Sequence, residues 1–136
     1  MPTPNEIVNT MMAKDYFSQW LGIEVLDIKE GGSKLQMTVR NEMLNGFGIA
    51  HGGITYSFAD SALAFASNSH GQKSVSVETS ISHTISLKSG DTIIAEAIEE
   101  HCSNKIGIYS IKIYKLADKA VVALFKGTVY RTSKVW

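Results

Sequence analysis

The stretch from residue 54 to residue 70 most constrains the fold, because it predicts a helix with almost no charge. Asp60 is its one formally charged side chain, and the rest is mainly Ala, Ser, Phe and other small or apolar residues. A helix without a charged face is expected to be enclosed by its domain. The scattered polar residues argue against a membrane span, and Gly71 is a typical helix-ending residue. A carboxylate on an enclosed helix is costly unless it is paired or functional, so Asp60 is the first candidate functional residue.

A glycine-rich loop leads into this helix, and its last two glycines, Gly52 and Gly53, open the helix. The first backbone amides of a helix have no partner inside it, and the helix dipole favours negative charge there. Glycine also allows a ligand to approach the backbone closely. The loop therefore predicts a site for a developing negative charge, although a purely structural loop-to-helix turn is the alternative.

Six strand-like runs surround the helix, two before it and four after it. They cover residues 23–30, 33–40, 73–87, 92–101, 105–116 and 120–131. The third run alternates, with Val75, Val77, Ile81 and Ile85 on one face and polar residues on the other. Short turns predict antiparallel neighbours, and residues 1–20 predict a helical arm. We therefore expect one α+β domain over residues 1–136, with an antiparallel sheet wrapped around one long central helix.

Composition excludes several classes of partner and chemistry. The formal net charge is zero, so the chain as a whole gives no electrostatic reason to bind nucleic acid or membranes. Cys102 is the single cysteine, which rules out an internal disulfide and fits a reducing compartment, so we expect a cytoplasmic protein. No secretory leader is recognisable at the N-terminus.

Metal and cofactor motifs are also missing from the sequence. The four histidines, at positions 51, 70, 83 and 101, do not have the spacing of known ligand motifs, and one cysteine cannot form a zinc cluster. There is no G-x-S-x-G elbow of a serine hydrolase, and the glycine loop lacks the third glycine of a dinucleotide fingerprint. We therefore expect neither a bound metal nor a cofactor.

The loop and helix together resemble a known family. The pattern Asn45-Gly46-x-Gly48-x-x-His51-Gly52-Gly53, followed by Asp60, resembles the hotdog-fold acyl-CoA thioesterases, in particular the phenylacetyl-CoA thioesterase subfamily. Val75-Ser76-Val77, Gly90-Asp91-Thr92 and residues 122–127 add to a likeness that covers about residues 20–132. The resemblance implies hydrolysis of an aryl-acetyl or a medium- or long-chain acyl-CoA, with coenzyme A as part of the substrate. It also implies a homotetramer, built as a dimer of dimers, with active sites at the dimer interface.

The resemblance assigns catalytic roles by position. Asp60 corresponds to the nucleophile or general base, and the Gly52 amide, with Gly53 close by, to the group that polarises the thioester carbonyl. Asn45 and His51 correspond to residues that hold the thioester and the leaving group, and Ser76 to a serine that places the water in one branch of the family.

Further residues are candidates for binding the substrate. The turn Asn104-Lys105-Ile106-Gly107 resembles the family's turn near the nucleotide, and Lys88 is a second cation for phosphate. Phe47 stands where some relatives carry a polar residue, so the acyl pocket is expected to differ. The remaining candidates near the site are Tyr56, Glu78 and His83.

Two other functions stay open from the residues. A hotdog hydratase or dehydratase would need a catalytic histidine, and the helix core contains none. A non-catalytic acyl-CoA-binding module would not need Asp60, and such modules usually carry an output domain.

Overall fold

The computed structural model describes residues 1–136 as three α-helices, one short 3-10 helix and six strands. The elements are α1 (Pro4–Met12), α2 (Tyr16–Leu21), β1 (Glu24–Lys29), β2 (Gly32–Thr38), the 3-10 helix (Asn41–Met43), α3 (Gly52–Asn68), β3 (Gln72–His83), β4 (Thr92–Cys102), β5 (Ile106–Lys115) and β6 (Val121–Val135). The predicted helix is therefore present, shifted two residues toward the N-terminus. None of the three α-helices is long and apolar enough to cross a lipid bilayer.

The six strands form one antiparallel sheet in the order β1-β2-β4-β5-β6-β3. The expectation that β3 and β4 are neighbours is wrong. The connection between them leads from β3, at one edge of the sheet, to β4, which lies between β2 and β5. Leu87 in this connection is buried, and its carbonyl accepts a hydrogen bond from the Ala50 amide at 2.8 Å. The crossing leaves β3 at an edge of the sheet, paired within the chain only to β6.

Helix α3 packs against the sheet, as its lack of charge predicts. Phe58, Ala62 and Phe65 are fully buried in the main core together with inward-facing residues of the sheet. Gly127 allows this close packing, because a Cβ atom there would lie 2.5 Å from the Leu63 Cδ2 atom. One strip of α3 stays open: Tyr56 is exposed, and Asp60 and Ala64, each one turn further along, are half-buried.

The N-terminal arm packs against α3 and β1. Thr3 and Glu6 form a capping box that starts α1, and Ile7 and Val8 of α1 are buried. Asp15 caps α2, and the Ser18 hydroxyl in turn lies 2.8 Å from the Ser61 hydroxyl in α3. The arm therefore brings the Asp15 carboxylate toward the middle of α3.

The C-terminal end of α3 is anchored by buried polar side chains. Asn68 donates from its side-chain amide to the Ala64 and Ser74 carbonyls, and its Oδ1 atom accepts from the Ser74 amide and the Trp136 indole. The Ser69 hydroxyl accepts from the Gly31 amide and lies within hydrogen-bond distance of the Ala66 and Lys29 carbonyls. These bonds fix the helix end to β3, to the β1–β2 turn and to the C-terminus.

Register shifts in β3 and β4 change which residues share a face of the sheet. In β3 the register shifts between Ser76 and Glu78, so the continuous alternation predicted for this strand is wrong. After the bulge, Thr79, Ile81 and His83 face α3, whereas Ser80 lines the opposite face of the sheet. In β4 a second shift lies between Glu99 and His101.

Candidate active site

The N-terminal end of α3 presents one unused backbone amide. His51 is the N-cap, and its Nδ1 atom accepts a hydrogen bond from the Gly53 amide at 2.8 Å. The Gly52 amide has no acceptor in the chain, and both glycines are exposed. The Gly52 amide is therefore free to donate to a ligand, whereas the Gly53 amide is already engaged. Because Nδ1 of His51 is an acceptor, the neutral ring carries its proton on Nε2 and can donate it to a ligand.

The loop before the helix is shaped by Asn45. Its Oδ1 atom accepts from the Phe47 amide at 2.9 Å and lies 3.4 Å from the Ile49 amide. Gly48 has a positive φ of 79 degrees, a conformation that explains a glycine at that position. The Asn45 side-chain NH₂ makes no hydrogen bond within the chain, so it is available to a ligand. Phe47 is 89% exposed.

A cavity of about 320 Å³ lies beside this helix end, and Asn45, Gly52, Thr55 and His83 are among its lining residues. His83 reaches it from the end of β3, where its Nε2 atom lies 2.5 Å from the Thr55 hydroxyl. A Cβ atom on Gly52 would be 3.4 Å from the His83 ring. The structure thus places His83 near the motif glycine. Thr55 carried no signal in the sequence, because its partner His83 is far along the chain.

Asp60 lies at a second cavity, of about 240 Å³, which Ser76, Ala64 and Val129 also line. The predicted association of Asp60 with Ser76 is therefore present in the geometry. The carboxylate has no hydrogen-bond or ion-pair partner in the chain; burial, and next the charge of Asp15, raise its pKa above the ordinary value. The sequence did not indicate Asp15, which approaches only because the arm packs on α3. An unpaired carboxylate with a raised pKa is well suited to take up a proton.

The two cavities are separate in a single chain. Asp60 follows Gly52 by two turns of α3. Two turns correspond to roughly 11 Å along a helix axis. Tyr56 stands between them, with its hydroxyl in contact with the Thr79 hydroxyl and its ring edge-on to Phe125 at 5.5 Å. In a single chain, the free Gly52 amide and the unpaired Asp60 carboxylate therefore open on different cavities.

The other predicted binding residues are distributed over the sheet. The bulge in β3 turns Glu78 to the face opposite α3, so the structure does not bring it near Asp60. Lys88 is exposed at the end of the sheet that holds Gly52, next to the first cavity. The turn Asn104–Gly107 lies at the other end of the sheet, where Lys105 contacts the Tyr130 ring at 5.7 Å.

In the same region, the structure explains why residue 107 is a glycine and why the Cys102 thiol is not suited to act as a nucleophile. Gly107 is buried, and a Cβ atom there would lie 2.9 Å from the Tyr109 ring, so packing alone explains this glycine. Burial and the neighbouring Glu99 raise the pKa of Cys102, which makes this thiol a poor nucleophile.

Comparison with known proteins identifies the family. The thioesterase superfamily model matches residues 47–122, a range that includes Gly52, Asp60 and Ser76. The chain is 37% identical to the acyl-coenzyme A thioesterase PaaI of Escherichia coli K12 over 123 residues, 90% of this chain and 87% of that protein. The solved structure of E. coli PaaI superimposes with a TM-score of 0.94 at 33% identity, over 97% of this chain and 95% of that one. A mutant of the phenylacetic acid degradation protein PaaI of Thermus thermophilus gives 0.83 at 35% identity, over 87% of this chain and 100% of that one. The chain therefore belongs to the thioesterase superfamily and is a thioester hydrolase with the hotdog fold.

Proposed function

We propose that this protein hydrolyses acyl-CoA thioesters and that its preferred acyl groups are aryl-acetyl groups such as phenylacetyl. The observation that supports the proposal is that the chain contains two groups without a partner, the Asp60 carboxylate and the Gly52 amide, and that each of them lines a cavity. The similarity to the E. coli acyl-coenzyme A thioesterase supports the CoA thioester as substrate. The lone thiol at Cys102 fits a reducing compartment such as the cytoplasm.

The chemistry follows from these two groups. The Gly52 amide and the positive end of the α3 dipole stabilise the negative charge that develops on the thioester oxygen. Asp60 takes a proton from a water that Ser76 positions, and the hydroxide adds to the carbonyl carbon. As an alternative route, the carboxylate itself attacks this carbon, and water then hydrolyses the resulting anhydride. In both routes the C–S bond breaks, the thiolate of coenzyme A leaves, and a carboxylic acid remains.

A dimer formed through the β3 edge would bring the two halves of the site together. Val75 and Val77 on this strand are 57% and 60% exposed, and no strand of the same chain covers the outer edge. Antiparallel pairing of β3 with its copy about a two-fold axis reverses the strand direction. If the axis passes near Thr79, the Ser76 end of one strand lies beside the His83 end of the other. Asp60 of one subunit then approaches Gly52 of the partner subunit, and two such dimers form the tetramer.

The same two-fold arrangement accounts for the distribution of the cations. Lys88 and the turn Asn104–Gly107 lie at opposite ends of one sheet, so a single chain cannot direct both at one coenzyme A molecule. Reversing the second sheet places Lys88 of one subunit and the partner's Lys105 on the same side. We propose that these cations bind the phosphates of the nucleotide portion.

Aromatic residues along the open strip support an aryl substrate. Tyr56 is partly exposed, its ring packs edge-on against Phe125, and it lies one turn before Asp60 on α3. Phe47, within the loop motif, projects into solvent and would meet the dimer partner or the acyl group. The phenylacetic acid degradation protein that the chain resembles supports the same class of acyl group.

The experiment that tests the function measures thiol release from phenylacetyl-, hexanoyl- and palmitoyl-CoA by the purified protein and by Asp60→Asn. We expect the highest kcat/KM with phenylacetyl-CoA and loss of turnover in the variant. A higher kcat/KM with the palmitoyl ester would refute the aryl preference. Tight binding without thiol release from any ester would instead support a non-catalytic binding module, and hydration of an enoyl-CoA would support a hydratase.

Mixing two inactive variants tests the composite site. We propose Asp60→Asn, which lacks the base, and Gly52→Pro, which lacks the free amide. In a heterodimer one site carries both defects and the other carries neither, so equal mixing after reversible dissociation restores about a quarter of wild-type activity. If the site were contained within one chain, no mixture would regain activity, and each variant alone would still be inactive.

A further inference from the structure

A cluster of metal-binding side chains lies at the C-terminal end of α3, away from both active-site cavities. His70 follows the helix, and Glu99 and Cys102 belong to the end of β4. One donor atom from each of the three residues lies within 4.8 Å of the others. The donors are an imidazole nitrogen, a carboxylate oxygen and a sulfur, a combination that suits zinc much better than magnesium or calcium.

The bulge in β4 is what makes this cluster possible. In a regular strand, residues three apart point to opposite faces of the sheet. The register shift between Glu99 and His101 accommodates one additional residue, so the Glu99 and Cys102 side chains turn to the same side. Both then approach His70, which the buried polar anchor of the helix end holds in place.

The imidazole of His70 is already oriented as a metal ligand would be. Its Nε2 atom lies 2.9 Å from the Glu99 carboxylate, inside the cluster, whereas its Nδ1 atom lies 3.2 Å from the Glu30 carboxylate, outside it. Metal-bound histidines commonly donate their second ring N–H to a carboxylate, which fixes the tautomer and increases the basicity of the ligating nitrogen. Glu30 is positioned for this role, and with Nδ1 protonated the Nε2 lone pair is directed into the cluster.

The backbone leaves room for such a centre at Gly31. This residue has a positive φ of 77 degrees, and a Cβ atom on it would overlap the Glu99 carboxylate and lie 3.2 Å from the His70 Nε2 atom. A side chain at Gly31 would therefore displace the donors as well as strain the turn. The β1–β2 turn thus closes over the cluster without filling it.

We propose that His70, Glu99 and Cys102 bind one zinc ion, with Glu30 as the carboxylate that orients His70. Tetrahedral zinc with N, O and S ligands requires donor separations of about 3.3–3.6 Å, so shifts of about 1 Å within the side chains are sufficient. Binding displaces the thiol proton of Cys102 and any proton on His70 Nε2, and a water completes the fourth position.

The position of the centre indicates a structural role. It would link the end of α3, the β1–β2 turn and β4, three segments that are distant in sequence. The whole length of α3, from Gly52 to Asn68, separates it from the Gly52 amide. A helix of that length spans roughly 25 Å. Zinc is therefore expected to stabilise the fold without taking part in the reaction.

Cobalt titration of the metal-free, full-length protein tests the proposal, because Co²⁺ replaces zinc and reports its ligands in the absorption spectrum. We expect one Co²⁺ per chain, intense visible bands of tetrahedral coordination and a thiolate-to-cobalt band in the near ultraviolet. Zinc should displace the cobalt, and Zn²⁺ should raise the Tm of the metal-free protein.

The variants separate the proposed ligands from their neighbours. Cys102→Ser should abolish the thiolate band, and Glu99→Gln should weaken binding at least about tenfold, the scale on which even the loss of an outer partner weakens metal sites. Glu100→Gln is the matched control, because Glu100 is adjacent in sequence but lines the opposite face of the sheet. A thiolate band that survives in Cys102→Ser, equal effects of the two glutamine variants, or the absence of stoichiometric binding would overturn the proposal.

Discussion

Both ends of α3 carry polar groups, but those at the N-terminal end are exposed, whereas those at the C-terminal end are buried and hydrogen-bonded. At the N-terminal end, Gly52 and Gly53 are exposed, and the Gly52 amide has no partner. At the C-terminal end, Asn68 and Ser69 are buried, and their side chains are engaged by backbone groups of three other segments and by the Trp136 indole. Buried polar groups that are fully bonded hold a fold together, whereas unbonded groups next to a cavity are available to a ligand.

This difference distinguishes residues of α3 that are expected to serve catalysis from residues that stabilise the fold. Asp60 lies between the two ends and belongs with the first, because its carboxylate is unpaired and next to a cavity. Substitutions toward the N-terminal half should therefore change activity with little loss of stability. Substitutions at the C-terminal end should lower stability with little change in activity.

The largest effect is expected for Asp60→Asn. Removal of the proposed base should lower kcat by about a hundred- to ten-thousand-fold, the range of positioned acid–base catalysis. The raised pKa of Asp60 means that stability from this group is present at low pH and is lost as the pH rises through that pKa. The variant should therefore unfold at a higher Tm than the wild type at mildly alkaline pH, but not at low pH. Turnover close to wild type, measured as thiol release, would contradict the role of Asp60.

Gly52→Pro should come next, because it removes the amide hydrogen while preserving the helix. Gly52 is the first residue of α3, where proline is favoured. His51 has an extended ψ of 138 degrees, as a following proline requires. We expect a loss in kcat of about a hundred- to a thousandfold, the scale for loss of an oxyanion donor. Gly52→Ala, which keeps the N–H, is the control and should retain much more activity. Similar losses of kcat in both variants would show that the added side-chain atoms, and not the loss of the amide hydrogen, lower the activity.

Asn68→Ala should show the opposite pattern. Asn68 is buried, and its removal leaves the partners of the side-chain amide unsatisfied, which costs about 2–3 kcal/mol of unfolding free energy. At about 3 °C per kcal/mol the Tm should fall by about 6–9 °C, while kcat at room temperature stays close to wild type. Asn9→Ala, on the exposed side of α1, is the control for stability and should change it little. A fall in kcat without a fall in Tm would remove the distinction between the two helix ends.

The smallest effect is a displacement of the pH profile by Asp15→Asn. The Asp15 charge contributes to the raised pKa of Asp60, so neutralising it should lower that pKa and extend activity to lower pH. Asparagine keeps the N-cap of α2. The acid limb of kcat/KM should therefore shift to lower pH, and Asp118→Asn in the β5–β6 turn should leave it in place. A shift to higher pH, or none, would show that Asp15 does not act on the base.

The local pattern of the sequence was enough to predict much of the fold. The uncharged stretch predicted the enclosed helix. The family resemblance of the loop motif with Asp60 implied both the hotdog fold and the thioester hydrolase, which the family match and the PaaI similarity confirm. The acyl group, the tetramer, the cytoplasmic location and the roles of the individual site residues remain predictions.

What the sequence could not predict depends on contacts between distant segments. The crossing between β3 and β4 depends on where Leu87 is buried, and the short turn at Gly90 gives no indication of it. The bulges are single-residue changes in register that the alternation of side chains conceals, so Ser76 and Glu78 were expected on one face of β3, whereas the bulge separates them. Motif spacing likewise showed no metal ligands, since His70 and Cys102 meet only through the helix end and a bulge.

The position of β3 at the edge of the sheet also affects how the chain folds as it is synthesised. Every other strand pairs with at least one strand made immediately before or after it, but β3 cannot pair until β6 has been made. Extending the chain from His83 to the end of β6 takes the ribosome several seconds at ordinary rates of synthesis. During that time the strand that carries Ser76 has both backbone edges open to other nascent chains and to chaperones. Truncation that removes β6 would leave it permanently unpaired in the monomer.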